Sequence, residues 1–322
     1  MPGGAGDATV LGVARVKKPA TNLPASVRQR LLNLATERKE DFGLVLTRYG
    51  LERFLYRLSV SPHRDSFVLK GALLLQLWTA ETYRPTRDLD LLARGISNIS
   101  YRKIFSEVCS QKVEDDGLMF VLDTIRAERI RDDEAYEGVR VRVEARLGDV
   151  RVPLQIDVGL GDAIVPASEE LEYPTLLKFA VPKLHAYSKE SVVAEKFEAM
   201  VKLGMANSRM KDFYDLWVLA RRFGFESSIL AAAIQATFET RRTALPKSSP
   251  LALQADFYEL PSKQTQWRAF LRKSGLKADS SLKQIIEVVR EFVMPVVDGI
   301  SKGNSEKEVW QPGGPWKKGR KL

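Results

Sequence analysis

The chain has little of the residues on which most non-carboxylate catalytic and metal sites depend. Its 322 residues include one cysteine, Cys109, and two histidines, His63 and His185. A single cysteine excludes an intramolecular disulfide and a cysteine-based zinc site, which favours a reducing compartment and makes the cytoplasm the expected location. Two histidines provide little material for histidine metal sites or histidine-dependent triads. We therefore expect carboxylates and lysines to carry any chemistry.

Two further patterns are missing. No run approaches the roughly 18 consecutive apolar residues of a membrane span, and residues 1–22 lack the apolar core of a secretory signal. The phosphate-binding pattern Gly-x-x-x-x-Gly-Lys-[Ser/Thr] does not occur, which disfavours a hydrolase or kinase of that type. We expect a protein that does not contact a membrane.

The charge balance indicates an acidic partner. Lys+Arg number 50 against 41 Asp+Glu, which gives a formal net charge of +9 and a sequence pI near 9.5. Such a balance favours nucleic acid or a phosphorylated substrate. The hydrophobic content of 44 % is enough to bury a core in one large domain or two ordinary ones.

The clearest strand signal is a regular alternation of apolar and polar residues over 139–147. It is followed by Gly148-Asp149 and by a second alternating run over 152–158. Two such runs joined by a two-residue turn predict an antiparallel hairpin. Beyond residue 186 the strand pattern fades and apolar residues recur at helical spacing, which predicts a helical C-terminal part.

These patterns predict an α+β fold in which a strand-containing part precedes a helical part. The first residues mix glycine, proline and small residues without periodicity, as is typical of a flexible segment. The last residues combine a Trp-Gln-Pro-Gly-Gly-Pro-Trp stretch with basic residues and predict an irregular end. We expect a flexible arm at 1–22, a mixed-sheet domain at 23–185, a helical domain at 186–300 and an irregular basic tail at 301–322.

Two aspartates separated by one residue form the most informative local pattern. A short apolar strand ends at Lys70-Gly71, a helix follows, and Asp88-Leu89-Asp90 begins the next strand. Residues two apart on a strand share a face, so both carboxylates point to one spot. Mg²⁺ prefers oxygen ligands, and two such ions can activate an attacking oxygen and neutralise a triphosphate. We predict a magnesium site for two ions at Asp88 and Asp90.

Neighbouring residues extend the predicted site. Asp157, on the polar side of the second hairpin strand, is the expected third metal ligand. Lys70 and Gly71 are expected to border the phosphates, because a glycine lets them approach the N-terminus of the following helix. Thr86 and Arg87 directly precede the aspartates and are predicted to contact the same triphosphate. An Asp-x-Asp pair is also compatible with a plain solvated strand face, since short motifs match by chance.

Two pairs of segments carry a resemblance to a known family. They are Phe67-Val68-Leu69-Lys70-Gly71-Ala72 with Arg84-Pro85-Thr86-Arg87-Asp88-Leu89-Asp90, and Ala194-Glu195-Lys196-Phe197-Glu198-Ala199-Met200 with Arg209-Met210-Lys211-Asp212-Phe213-Tyr214-Asp215-Leu216. They resemble the motifs of the AbiEii/AbiGii-type nucleotidyltransferase toxins, which include the MenT toxins. Ala72 departs from the glycine, serine or threonine usual in the family. The resemblance covers about half the chain and implies a polymerase-β-like nucleotidyltransferase domain at 23–185.

The resemblance implies roles for four residues of the helical part. Lys196 would neutralise the β- and γ-phosphates, a role that suits a compact ammonium, and Asp212 would orient it. Lys211 and Asp215 are carried over with them as substrate-binding residues. Without the resemblance, Lys196 would be interpreted as a solvated helix lysine, and the two aspartates as surface or capping carboxylates.

The resemblance also implies a reaction and partners. An acceptor hydroxyl would attack the α-phosphate of a nucleoside triphosphate and release pyrophosphate. Family members are toxins of toxin–antitoxin or phage-defence pairs, and characterised relatives modify the 3′ end of tRNA with pyrimidine nucleotides. The expected partners are a nucleoside triphosphate, an RNA that is expected to be tRNA, and a cognate antitoxin protein.

Two other functions remain open from the sequence. A protein-modifying transferase, such as an AMP-adding enzyme, would keep the same site and use a protein acceptor. A non-catalytic nucleic-acid-binding protein could use the basic strand face of Arg140, Arg142 and Arg146, although a plain solvated face explains these arginines equally well. The aromatic residues of 213–217 are expected to pack in the core rather than to stack on bases.

Overall fold

The three-dimensional structure is a computed structural model. It describes residues 22–79, 86–95, 100–131, 137–276, 280–303 and 307–319, and the predicted flexible arm lies outside them except for Asn22. The predicted α+β class is confirmed, since a mixed sheet with helices precedes a helical C-terminal region.

Helices and strands alternate in the first part of the chain. The two opening helices begin where capping side chains accept backbone N–H groups: Asn22 accepts from Ala25, and Asp41 accepts from Leu44. The elements are α1 (Leu23–Arg38), α2 (Phe42–Ser59), β1 (Phe67–Lys70), α3 (Ala72–Thr79), β2 (Asp88–Ala93), α4 (Tyr101–Cys109), β3 (Leu118–Arg131), β4 (Glu137–Leu147), β5 (Val150–Leu160), β6 (Glu169–Glu172) and β7 (Lys183–Ala186).

These strands form a seven-stranded mixed sheet in the order β3-β4-β5-β2-β1-β7-β6. The predicted hairpin is confirmed as β4 and β5, which are antiparallel and joined beyond the Leu147–Val150 pair. Next to it, β2 runs parallel to β5 and antiparallel to β1. The edge strand β3 was not predicted, because a register shift between Val121 and Arg126 interrupts its alternation.

The opening helices pack against the sheet, α1 on β4 and α2 on β5. Beneath them lies a buried charged cluster in which the Asp116 carboxylate forms an ion pair with Arg53 at 3.1 Å and accepts a hydrogen bond from Arg57 at 2.7 Å. The Tyr49 hydroxyl donates to the Asp116 backbone carbonyl at 2.6 Å. A buried carboxylate without such partners would be strongly destabilising, so this cluster fixes α2 against the chain entering β3.

The second part of the chain is helical, as predicted. Its last long helix begins with a capping box between Ser281 and Gln284. Among the described residues, no helix is both long and apolar enough to cross a bilayer. The elements are α5 (Lys189–Leu203), α6 (Met210–Arg222), β8 (Phe225–Glu226), α7 (Ser227–Thr240), α8 (Ala255–Tyr258), α9 (Pro261–Ser274), α10 (Leu282–Ser301), β9 (Glu308–Trp310) and β10 (Trp316–Lys318).

The prediction of an irregular tail at 301–322 was wrong for the residues that form β9 and β10. These strands join β8 in a small antiparallel sheet. Trp310 donates its indole N–H to the Ala220 carbonyl at 2.6 Å and packs on Phe292, and Trp316 stacks on the same ring. The local sequence has no strand alternation, and contacts with α6 and α10 hold the strands in place.

We predict that Trp310→Ala lowers the free energy of unfolding by about 3–5 kcal/mol, because a buried ring and its hydrogen bond are lost together. Chemical denaturation followed by circular dichroism measures the change. The matched control is Lys317→Ala, an exposed position of the same strand pair, which should shift stability by no more than about 0.5 kcal/mol. Equal stability of the two variants would contradict the packing of this segment.

Candidate active site

A cavity of about 380 Å³ lies where the ends of β1, β2 and β5 meet the helices α5 and α6. The sequence places these elements far apart, and the fold brings them to one place. Of the predicted site residues, all except Arg87 and Asp215 line this cavity. Those that line it are Lys70, Gly71, Thr86, Asp88, Asp90, Asp157, Lys196, Lys211 and Asp212.

The two aspartates of β2 point into the cavity because the strand alternates. Leu89 and Leu91 are buried in the core, so Asp88 and Asp90 take the opposite face. In the parallel pairing of β2 with β5, Asp90 lies directly beside Asp157. Neighbouring strands are roughly 4.8 Å apart, so three carboxylates share one small region of the sheet.

Burial disfavours the charged forms of Asp88 and Asp90. It raises the pKa of Asp90 from its ordinary 3.8 to about 6, the Asp157 charge adds to the rise, and Lys211 and Lys70 oppose it. Burial and then Asp157 also raise the pKa of Asp88. A desolvated Asp90 beside the more exposed Asp88 and beside Asp157 favours a bound cation, which would relieve both the desolvation of Asp90 and the repulsion among the three carboxylates.

Gly71 is required by the position of Asp90. Its φ of +79° lies in the left-handed region, and an added Cβ would overlap a carboxylate oxygen of Asp90 and lie 2.7 Å from its carboxyl carbon. Only glycine therefore fits between β1 and α3 while Asp90 keeps its place.

Asp157 is paired with Arg140, one of the three arginines of the basic strand face. Arg140 donates to both of its carboxylate oxygens at 2.8 Å and itself lines the cavity. The metal-ligand role of Asp157 remains a prediction, since a metal would compete with this bidentate pair. The rest of the arginine strip is paired with carboxylates, Arg142 with Glu128 and Arg146 with Glu144, which favours a solvated strand face there.

The carboxylate oxygens of Asp88 and Asp90 fit a magnesium site that has few protein ligands. Within the described ranges, no group of three or more His, Cys, Asp or Glu side chains has the geometry of a ready metal cage. Mg²⁺ is often held by only one or two protein carboxylates, with waters and substrate phosphates completing its shell. The hard oxygens of Asp88 and Asp90 meet that requirement without a third ligand.

Lys196 faces the aspartates from α5. Its ammonium lies 2.6 Å from Asp212 and 2.8 Å from Asp215, both on α6 and both buried. Asp215 lies behind Lys196 rather than on the cavity wall. The two aspartates hold the lysine in one position between the helices, and the role of Asp212 in orienting Lys196 toward phosphates remains a prediction.

Lys70 belongs to a buried network that the sequence did not reveal. It contacts Asp162 at 2.8 Å and Glu195 at 3.1 Å, and Arg241 contacts both acids at 2.9 and 3.4 Å. Arg241 also pairs with Glu198 at 2.9 Å. Glu195 and Glu198 lie within the family segment around Lys196, which was a usable signal, whereas nothing local marked Asp162 or Arg241.

Two predicted phosphate contacts differ in position. Thr86 lines the cavity, and its hydroxyl donates to the Asp88 carbonyl at 3.2 Å. The Arg87 side chain is 72 % exposed, contacts Asp41 at 3.8 Å and is not on the cavity wall. Its position gives no support to a contact with the triphosphate. Lys211 is exposed and reaches the cavity from the first turn of α6.

Carboxylates at the centre of a mixed sheet line one cavity with a lysine that two further aspartates hold in place, and this arrangement suits an enzyme that handles a nucleotide triphosphate. A family model described as "Nucleotidyl transferase AbiEii toxin, Type IV TA system" matches residues 53–288, well over half of the chain. The chain belongs to the AbiEii nucleotidyltransferase toxin family of type IV toxin–antitoxin systems.

Comparisons with individual proteins are much weaker. No curated protein matches the sequence. Among solved structures, JHP933 from Helicobacter pylori is 14 % identical over 79 % of this chain and 92 % of its own, with a TM-score of 0.44. A second Helicobacter pylori protein, described as a nucleotidyltransferase, is 14 % identical over 79 % of this chain and 95 % of its own, with a TM-score of 0.40. At these TM-scores the likeness does not assign a function.

We predict that Gly71→Ala lowers nucleotidyl transfer at least about 100-fold, because the new methyl group displaces the Asp90 carboxylate. Gly95→Ala is the matched control: Gly95 also has a positive φ, of +62°, but its Cβ would meet nothing within 4 Å. Both variants carry backbone strain, so similar thermal stabilities with different activities would isolate the clash. Equal activity of the two variants would contradict this account of Gly71.

We predict that Asp90→Asn stabilises the metal-free protein at pH 7.5 by about 1–3 kcal/mol, because ionised Asp90 is unfavourable in the fold. Folding raises the pKa of Asp90, so the folded protein favours the protonated carboxyl. The stability that this group contributes is fully present below pH 3.8 and is lost as the pH rises through about 6. The advantage of the variant should therefore shrink as the pH falls below 6.

Urea unfolding in chelator at several pH values tests this, with the exposed Asp149→Asn as control. Added Mg²⁺ should raise the stability of the wild type and leave Asp90→Asn unchanged. A variant less stable than the wild type at pH 7.5 in chelator would refute the prediction.

Proposed function

We propose that this enzyme transfers a nucleoside monophosphate from a nucleoside triphosphate to an RNA acceptor, the 3′ end of tRNA, and releases pyrophosphate in a magnesium-dependent reaction. The observation that carries the proposal is that Asp88 and Asp90 of β2 line the same cavity as Lys196 of α5. A triphosphate in this cavity would meet both metal-binding carboxylates and a fixed ammonium.

The carboxylates form the metal-binding half of the proposed site. Asp88 and Asp90 would hold two Mg²⁺ ions, with Asp157 as a further ligand if it exchanges Arg140 for a metal. Magnesium, when bound, supplies positive charge that activates the acceptor hydroxyl and neutralises the triphosphate. Gly71 makes room for the Asp90 carboxylate in this half of the site and lines the cavity beside it.

The lysines form the phosphate-binding half. Lys196 is held between Asp212 and Asp215, so its ammonium is already in position and pays little entropy on binding the β- and γ-phosphates. Lys211 lies at the cavity mouth, where it lowers the pKa of both Asp90 and Asp88. We assign Lys211 to the triphosphate as well. A metal ion bound at Asp88 and Asp90 would replace Lys211 as the positive charge beside them and leave its ammonium available for a phosphate. Thr86 and Lys70 border the same space.

The acceptor and the regulatory partner complete the proposal. The net charge of +9 suits an RNA acceptor, whose phosphates a basic protein attracts over long range. Membership of a type IV toxin–antitoxin family supports a cognate antitoxin protein as the partner that restrains the activity. The family likewise supports a role in growth control or phage defence.

We predict that purified protein, incubated with Mg²⁺, total tRNA and each α-labelled nucleoside triphosphate in turn, places label on tRNA. Asp90→Asn and Lys196→Met should each lower the rate about 100-fold or more, because each removes charge stabilisation that the reaction needs. Chelation of the metal should abolish transfer. Gel separation of RNA and protein measures where the label goes.

Two exposed residues outside the cavity provide matched controls. Asp149→Asn and Lys103→Met make the same chemical changes where no substrate is expected, and both should retain wild-type rates. Label on protein instead of RNA would show that the acceptor is a protein and would overturn the RNA acceptor. Label on neither, with every nucleotide, would refute transfer.

A further inference from the structure

The outward side of α6 and α9 combines cations with aromatic rings. Helix α9 contains no acidic residue, and the acidic residues of α6, Asp212 and Asp215, are buried against Lys196. The positive charge of this side is therefore not neutralised by its own helices. We define the α6–α9 face by six residues: Lys211, Tyr214, Trp217, Arg221, Phe270 and Lys273.

The rings of this face pack against the core on one side and are partly exposed. Phe213 is fully buried, as expected, whereas Tyr214 and Trp217 are half-buried. Tyr214 lies 5.6 Å from Trp217 and 5.8 Å from Phe270 between ring centroids, and the Arg221 guanidinium covers Trp217 at 5.4 Å. The expectation that these aromatics pack in the core therefore holds fully for Phe213 and in part for Tyr214 and Trp217, which pack against the core and stay partly exposed.

The face is continuous with the cavity. Lys211, Tyr214, Trp217 and Arg221 follow one another at helical spacing along one side of α6, and Lys211 lines the cavity itself. Ten residues of helix span about 15 Å, a length that about four stacked nucleotides would cover at roughly 3.4 Å each. A strand lying along the face would end at the cavity mouth.

We propose that the α6–α9 face binds the single-stranded end of the RNA acceptor. Bases stack on Tyr214 and Trp217, and phosphates contact Arg221 and Lys273, while Lys211, at the cavity end of the face, stays with the triphosphate, so that the terminal hydroxyl enters the cavity. Partly exposed rings flanked by cations recognise unpaired nucleotides, because a duplex keeps its base faces stacked and inaccessible. This inference rests on the proposed function, since it takes RNA as the acceptor.

Charge reversal tests the phosphate contacts. Arg221→Glu/Lys273→Glu should raise the Kd for a short fluorescein-labelled single-stranded RNA at least ten-fold. Loss of two phosphate contacts should also reduce the slope of log Kd against log salt concentration by about 1.4. Arg28→Glu/Arg38→Glu, the same reversal on exposed positions of α1, is the control and should leave both unchanged.

Ring substitutions test stacking separately from charge. Trp217→Leu should raise the Kd about ten-fold without changing the salt slope, whereas Trp217→Phe keeps a ring and should bind nearly as well as the wild type. In transfer assays, both charge reversal and Trp217→Leu should raise the KM for RNA and leave the KM for the nucleoside triphosphate unchanged. A general loss of folding would not produce this division.

The outcomes separate this inference from the proposed function. If the wild type labels RNA, and charge reversal and Trp217→Leu change neither RNA affinity nor its KM, the face is not the acceptor site and the function stands. If the wild type neither labels nor binds RNA, both are overturned. The inference is supported if both variants bind RNA more weakly, with a reduced salt slope for the charge reversal and an unchanged slope for Trp217→Leu.

Discussion

The structure depends on one electrostatic constraint, the presence of several carboxylates in a small space at the middle of the sheet. Leu89 and Leu91 must enter the core, so the alternation of β2 forces Asp88 and Asp90 into the cavity beside Asp157. Charges so desolvated persist only where cations are close. The strand-containing part supplies Lys70 and Arg140, and the helical part supplies Lys196 and Lys211.

This constraint explains why the strand-containing and helical parts form one site. Lys196 and its two aspartates belong to the helical part, yet they face the carboxylates of β2 across the cavity. Arg241, at the end of α7, joins Asp162, which follows β5, to two acids of α5. The match to the AbiEii family spans 53–288 and so includes both sides of the cavity.

Much of the fold was predictable because its signals are local. Alternation predicted the β4–β5 hairpin, the Lys70-Gly71 stop predicted the end of β1, and apolar spacing predicted the long C-terminal helices. The failures have a common cause. The tail strands and β3 lack a regular pattern, and they form because Trp310 packs on Phe292 or because β4 offers a long neighbouring edge.

The sequence by itself determined that Asp88 and Asp90 share a face, because strand alternation is a property of the backbone, and that Gly71 interrupts the chain before α3. Only the tertiary structure decided that Asp90 needs a glycine at that position, that Arg140 holds Asp157, and that Arg241 reaches Lys70's partners. These are contacts between residues distant in the chain. Their geometry follows from how the sheet and helices pack, which no local pattern records.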